Sequence, residues 1–136
     1  MIVVDVNVIA YLLIEGEYTE SATRLWRQQQ DWGLPSLWRH EFLNVLATYV
    51  RHGGASIGDA ESIWWQAIEL FSGCEQEVDM IRALRVAAER NISAYDAQYI
   101  ALAQELATVC ISEDRRLISK YPEVATTMES YFGNRL

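Results

Sequence analysis

Histidine, cysteine and lysine are all scarce in this chain of 136 residues. His40 and His52 are the only histidines, which is too few for a histidine-rich metal site. Cys74 and Cys110 are isolated from each other, and neither belongs to a Cys-x-x-Cys pair. We therefore expect neither a structural zinc site nor a disulfide framework, and buried free thiols are the simpler interpretation.

The chain also lacks a long apolar run. Its longest apolar segments, residues 2–4 and 8–13, are interrupted by Asp5 and Asn7 and are too short for a membrane span. No basic segment precedes them and no small-residue cleavage site follows. We therefore expect no signal peptide and no membrane association, and the predicted location is the cytoplasm.

Positive charge is in short supply. Lysine and arginine together number 11 against 19 acidic residues, so the net charge is −8. This is the wrong sign for a protein that binds nucleic acid through bulk electrostatics. An acidic excess becomes informative only where carboxylates converge, because clustered carboxylates repel one another unless a cation lies among them.

What the chain does have is an ample apolar fraction, 51%, and a length that predicts a single domain over residues 1–136. Strands are predicted over residues 1–6, within 32–36 and 72–78, and over 108–112 and 123–127. Helices are predicted over residues 8–14, from 19 or 21 to 30, over 37–51, from 56 or 59 to 71, and over 79–90, 93–106 and 114–119. Strands that alternate with helices predict an α/β fold with a mostly parallel sheet.

Acidic residues follow two of the predicted strands. Asp5 and Asp114 lie at the carboxyl ends of apolar runs, which is the edge where parallel sheets bind ligands. Helices that begin at Ser36 and Ser93, their predicted N-caps, could bring Glu41 and Asp96 over the same edge.

Each of these acids also has a purely structural explanation. Asp5 could form an Asx turn, Glu41 could be a solvated helix residue, and Asp96 and Asp114 could serve as caps. Against that reading, Asp5 and Asn7 interrupt a run that would otherwise be buried, and buried polar groups need a stabilising partner.

Four motifs occur in order along the chain. They are D-V-N-V at residues 5–8, E-F-L-N-V-L at 41–46, S-A-Y-D-A-Q-Y-I-A-L-A at 93–103 and S-E-D-R-R-L at 112–117. A single one of these motifs is weak evidence, although the third is quite specific. In their order and spacing, the four together resemble PIN-domain proteins of the VapC toxin type over nearly the whole chain. The one departure is Ser112, where many relatives have threonine; both residues supply a hydroxyl.

The resemblance implies a three-layer α/β/α sandwich and a metal-dependent endoribonuclease, the toxin of a toxin–antitoxin pair. It implies that Mg²⁺ or Mn²⁺ is held by Asp5, Glu41, Asp96 and Asp114, of which Glu41 could instead position the attacking water. One ion would activate a water and a second, roughly 4 Å away, would stabilise the leaving oxygen. The supporting polar residues are Asn7, Asn44, Ser93 and Ser112.

Partners follow from the same resemblance. They are an RNA substrate, a small antitoxin whose C-terminal segment lies in a groove beside the acids, and a second copy of the chain in a homodimer. Arg39, Arg115 and Arg116 are candidate phosphate contacts, although surface solubility explains them equally well. Trp64 and Trp65 diverge by roughly 100° on one helix, so one of them is expected at a partner surface.

Two other functions remain open at this stage. An Asp-based phosphotransferase or phosphatase would use a strand followed by Asp-x-Asn, but Asn7 stands where a second aspartate is usual and Lys120 is the only lysine. A non-catalytic interaction module with the same fold is the other alternative. Binding alone would not require four converging acids.

Overall fold

A five-stranded sheet forms the middle layer of the structure, a computed structural model that describes residues 1–133. Its strands are β1 (Ile2–Val4), β2 (Trp32–Pro35), β3 (Glu75–Gln76), β4 (Cys110–Ile111) and β5 (Ala125–Thr126). They lie in the order β3-β2-β1-β4-β5, and every pair is parallel. The prediction of an α/β fold with a parallel sheet is confirmed.

Helices cover both faces of this sheet. They are α1 (Val6–Leu13), α2 (Thr19–Gln28), α3 (Trp38–His52), α4 (Ile57–Phe71), α5 (Met80–Arg90), α6 (Ala94–Glu105), α7 (Arg115–Lys120) and α8 (Met128–Gly133), with a 3₁₀ turn at Ser72–Cys74. No helix within residues 1–133 has both the length and the apolar character needed to cross a bilayer.

The alternation of side chains along β1 divides the core in two. Ile2 and Val4 pack with α1 to α4 and α8, whereas Val3 packs with α5 to α7 on the other face. Because successive side chains of a strand point to opposite faces, a strand covered by helices on both sides must be apolar throughout. This arrangement confirms the predicted three-layer sandwich.

The chain order of the strands reverses direction beside β1. From β1 the chain adds β2 and β3 on one side and returns to add β4 and β5 on the other. Ligands of open α/β sheets bind in the crevice at such a point, outside the carboxyl ends of the strands. Asp5 follows β1 and Ser112 follows β4, and the two strands pair through Val4 and Ile111.

Several helix starts have the caps that the sequence predicts. The Ser56 hydroxyl accepts a hydrogen bond from Asp59 N (3.0 Å), and the Ser93 hydroxyl accepts one from Asp96 N (3.0 Å). Asp114 Oδ1 accepts from the amides of Arg116 and Leu117, at 3.0 and 3.2 Å. These bonds satisfy backbone donors that the first turn of a helix leaves unpaired.

The predicted N-cap of α3 is wrong. That helix begins at Trp38, its N-cap is Leu37 without a side-chain hydrogen bond, and Ser36 is exposed. Trp38 is fully buried and its indole N–H donates to Glu75 Oε1 at 2.9 Å. The position of the Trp38 side chain, rather than a capping hydroxyl, accounts for where this helix starts.

Candidate active site

Asp5 is the most buried acidic side chain at the carboxyl edge of the sheet, with 5% of its surface exposed. Its backbone N–H donates to Ile111 O (2.9 Å), so the β1–β4 pairing fixes its position. Its Oδ1 accepts from Val6 N at 2.7 Å, which makes Asp5 the N-cap of α1. The structural role considered for Asp5 was an Asx turn, whereas the structure makes Asp5 a helix N-cap, and α1 begins at Val6, earlier than predicted.

The second carboxylate oxygen of Asp5 belongs to a polar network. The Ser112 hydroxyl donates to Asp5 Oδ2 at 2.7 Å, and Asn7 Nδ2 donates to the same oxygen at 3.3 Å. Ser112 also accepts from Asn7 Nδ2 (3.3 Å) and from Asp114 N (3.0 Å). Asn7 and Ser112, both predicted as supporting residues, thus hold Asp5 and join it to the backbone of Asp114.

Glu41 reaches this edge from the first turn of α3. Its Oε1 accepts a hydrogen bond from the Tyr99 hydroxyl at 2.7 Å, and Tyr99 is fully buried in α6. A buried phenol that donates to a carboxylate oxygen fixes the direction of that carboxylate. Burial, the Glu41 charge and the hydrogen bond to Glu41 raise the pKa of Tyr99, so the phenol keeps its proton.

Asp96 and Asp114 complete the acidic set from two further helix starts. Asp96 lies in the first turn of α6 and is half-buried, and Asp114 is the N-cap of α7. Ser93 caps α6 by accepting from Asp96 N, so the cap and the predicted metal ligand lie in the same turn. Asn44, also predicted as a supporting residue, is exposed on α3.

The charges of these carboxylates act on one another. Burial and then the charges of Glu41 and Asp96 raise the pKa of Asp5 to about 7, against the lowering effect of its bond to Ser112. Burial and the Asp96 charge raise the pKa of Glu41, although the Tyr99 bond lowers it. Burial and the Asp114 charge raise the pKa of Asp96, opposed by Ser93 and Arg116.

These side chains are suited to a hard divalent cation by their chemistry. Carboxylate oxygens are the ligands that Mg²⁺ prefers, and Mg²⁺ often takes only one or two of them while keeping several waters. Within residues 1–133, no group of three or more histidine, cysteine or acidic side chains is arranged so that it could hold a metal ion as it stands. Ionisation of Asp5 is unfavourable, because the side chain is buried and because the charges of Glu41 and Asp96 repel it. Hydrogen bonds from Ser112 and Val6 stabilise the ionised form, and a bound cation would stabilise it further.

The three predicted RNA-binding arginines have different surroundings. Arg39 forms an ion pair with Glu75 on β3. Arg115 and Arg116 are exposed at the start of α7, and the charge of Arg116 acts on Asp96. Of these three arginines, Arg116 is the one whose charge lowers the pKa of an acid in this set.

The adjacent tryptophans of α4 diverge as predicted. Trp64 packs into the first core, with its ring 6.4 Å from that of Trp38, while 67% of Trp65 is exposed. Trp65 lines an apolar groove between α3 and α4, about 430 Å³ in volume, together with Leu43, Val50 and Ile57. We call this the α3–α4 groove.

Tyr99 contacts the candidate site through Glu41, and no role was predicted for it from the sequence. It falls inside the motif at residues 93–103, but 58 positions separate it from Glu41. The only local signal is that a phenol on the buried face of a helix needs a hydrogen-bond partner.

Comparison with known proteins gives consistent results. Residues 2–123 match the family model described as the PIN domain. Ribonuclease VapC3 of Pyrobaculum aerophilum is 30% identical over 131 residues, which cover 92% of this chain and 98% of that protein.

Two solved structures have the same fold. The structure of PAE2754 from Pyrobaculum aerophilum superposes with a TM-score of 0.76 at 23% identity, covering 98% of this chain and 94% of that one. The structure of FitAcB from Neisseria gonorrhoeae gives a TM-score of 0.70 at 17% identity, covering 95% and 99%. At these identities the likeness concerns the fold alone.

Proposed function

The chain belongs to the PIN-domain family, and from that premise we propose that it is a metal-dependent endoribonuclease that cleaves RNA phosphodiesters with water. What supports the proposal is that Asp5, Glu41, Asp96 and Asp114 come from four different elements and that their charges act on one another. The 30% identical relative is a ribonuclease by name, which supports the same activity.

Asp5, Asp96 and Asp114 are proposed to hold Mg²⁺ or Mn²⁺ directly or through water, with Glu41 either a further ligand or the residue that positions the attacking water. When bound, the cation lowers the pKa of a coordinated water and offsets charge on the phosphate oxygens. With a cation held by these acids, the local charge would be nearer to neutral, and the acidic protein could then hold RNA at the site.

The neighbouring residues prepare these acids for their roles. Ser112 and Asn7 keep the Asp5 carboxylate in one orientation, and Tyr99 does the same for Glu41. Such fixed orientation matters because a misplaced ligand or base loses much of its effect. The raised pKa of Glu41 also makes it a better proton acceptor than an ordinary surface glutamate.

Phosphate contacts are proposed for Arg115 and Arg116, which are exposed beside Asp114. Arg116 already acts on the charge of Asp96, so its guanidinium is placed to contact an RNA phosphate near that acid. Arg39 is the weakest of the three candidates, because it is paired with Glu75.

We further propose that the protein is the toxin of a toxin–antitoxin pair and forms a homodimer. Two apolar surfaces support protein partners in general. One is the α3–α4 groove with the exposed Trp65, and the other is the face of α5 that exposes Met80, Ile81 and Leu84. Exposed apolar patches of this kind are typical of protein–protein contacts.

A cleavage assay tests the proposed activity. A mixed RNA pool is incubated with the wild-type protein, Asp96→Asn and Glu69→Gln, each with Mn²⁺ and with EDTA. Glu69 is an exposed acid of α4 and serves as the matched control. We expect cleavage only with Mn²⁺, a loss of at least about a hundredfold in Asp96→Asn, and no loss in Glu69→Gln. Equal cleavage by Asp96→Asn, or full cleavage in EDTA, would contradict the proposal.

A further inference from the structure

A cleft of about 560 Å³ lies beside Glu41, between the first half of α3 and the first turn of α6. Leu37, His40, Glu41, Asn44, Tyr95 and Gln98 are among the residues that line it. We call it the Tyr95 cleft. Its volume lies in the range of sites that bind small organic groups. The roles proposed for the four acids leave this cleft without a function, although Glu41 forms part of its wall.

Tyr95 gives the cleft an unusual aromatic surface. It directly precedes Asp96, and 65% of it is exposed. Within residues 1–133 its hydroxyl makes no hydrogen bond and its ring contacts no other ring. An exposed aromatic ring beside a nuclease site is suited to stack on a nucleobase, because every base offers a flat π surface.

Polar groups around this ring suit the edge of such a base: His40 and Asn44 lie on α3, whereas Gln98 lies on α6, one turn after Tyr95. The side chains of His40, Asn44 and Gln98 form no hydrogen bond or ion pair with any other described residue. The amides of Asn44 and Gln98 each carry a donor and an acceptor, which is the pattern that base edges present. These groups are free to bind a ligand without breaking a bond within the protein.

The charge of the cleft selects the base rather than the phosphate. Its lining includes the Glu41 carboxylate and contains no arginine or lysine. A phosphate would be repelled there, whereas an uncharged base would not. The α3–α4 groove is lined almost wholly by apolar side chains, so it is the better place for a protein partner.

We propose that the Tyr95 cleft is a nucleobase subsite, in which Tyr95 stacks on an unpaired base of the RNA next to the phosphodiester that is cleaved. This proposal rests on the proposed ribonuclease function and names the part of the substrate that the cleft takes. It implies that the protein prefers single-stranded RNA, since a base within a duplex is already stacked.

The test compares Tyr95→Ala, Tyr95→Phe and Glu69→Gln with the wild-type protein. Glu69 is exposed on α4 and lines neither the Tyr95 cleft nor the α3–α4 groove, so Glu69→Gln is the control. The substrates are a single-stranded oligonucleotide whose cleavage site has been mapped and copies of it in which each base in turn is replaced by an abasic sugar. Both KM for cleavage and binding by fluorescence anisotropy are measured.

For Tyr95→Ala we expect KM and Kd to rise about 5- to 150-fold, the range found when an aromatic side chain that stacks on a base is removed. Tyr95→Phe, which keeps the ring, and Glu69→Gln should resemble the wild type. For the wild type, one abasic position should raise KM and Kd by a similar factor. The same abasic position should not change KM or Kd for Tyr95→Ala, because that variant has already lost the contact.

The outcomes separate this proposal from the ribonuclease function. If the wild type cleaves RNA and Tyr95→Ala matches it in KM, Kd and abasic profile, the nucleobase subsite is wrong while the ribonuclease function stands. If nothing is cleaved, the ribonuclease function fails, and the anisotropy data alone decide on the subsite. A Tyr95→Ala variant with unchanged RNA binding but altered self-association would assign Tyr95 to a protein interface and overturn the proposal.

Discussion

Raising the pH should destabilise the metal-free protein, and Asp5 is the main reason. Burial, with repulsion from Glu41 and Asp96, raises the pKa of Asp5 from 3.8 to about 7. Between these two values the folded protein keeps a proton that the unfolded chain has lost. The folded state therefore binds more protons, so the free energy of unfolding falls as the pH rises through this interval. The stabilisation is complete below pH 3.8 and lost above about pH 7.

The size of the effect follows from the width of the interval. At about 1.36 kcal/mol per pH unit, Asp5 alone should lower the free energy of unfolding by about 3 kcal/mol between pH 5 and pH 8. Glu41 and Asp96 have raised pKa values too and act in the same direction. For a chain of this length the Asp5 contribution corresponds to a fall in Tm of about 10 °C.

Urea and thermal unfolding, followed by circular dichroism at pH 5, 6, 7 and 8 in EDTA, measure this slope. Mn²⁺ should remove most of it, because a cation that binds only the folded carboxylates adds stability where they are ionised. Asp5→Asn should flatten the slope in EDTA, whereas Glu69→Gln should keep it. A stability in EDTA that stays constant or rises from pH 5 to pH 8 would refute the reasoning.

Three further substitutions test neighbouring parts of the site. Tyr99→Phe removes the donor to Glu41 and should lower kcat about tenfold with little change in KM; an unchanged kcat would show that Glu41 needs no fixed orientation. Ser93→Ala should cost about 1 kcal/mol in unfolding free energy, and a lowered Mn²⁺ affinity would show that the cap also orients Asp96, whereas loss of stability alone would leave Ser93 as a cap. Arg115→Ala should weaken RNA binding and reduce the slope of log K against log salt by about 0.7, and an unchanged slope would leave Arg115 as a solubilising residue.

Local patterns in the sequence were sufficient to predict the main elements. The β-branched run before Asp5 predicts a buried strand with an acid at its carboxyl end, and β1 and the position of Asp5 confirm it. Ser56, Ser93 and Asp114 precede helical periodicities and cap the helices that follow. In these places the signal lies within a few residues, so a single sequence carries it.

What depends on distant contacts could not be predicted in the same way. Ser36 is of a residue type that is common at N-caps, but the burial of Trp38 and its hydrogen bond to Glu75 set the start of α3. The Tyr99–Glu41 bond joins residues 58 positions apart, so no local pattern indicates it. The helix α8 was not predicted either. Its Met128 packs into the first core, which is a contact between segments that are distant in the sequence.

Titration of the protein with Mn²⁺ at pH 7 by isothermal calorimetry, in two buffers of different ionisation enthalpy, tests the central claim most directly. If Asp5, Glu41, Asp96 and Asp114 form a cation site, the wild type and Glu69→Gln should bind Mn²⁺ and release protons, because Asp5 is partly protonated at this pH. Asp96→Asn should bind at least about tenfold more weakly. Mn²⁺ binding that is unaffected by Asp96→Asn, or that releases no protons, would contradict the account.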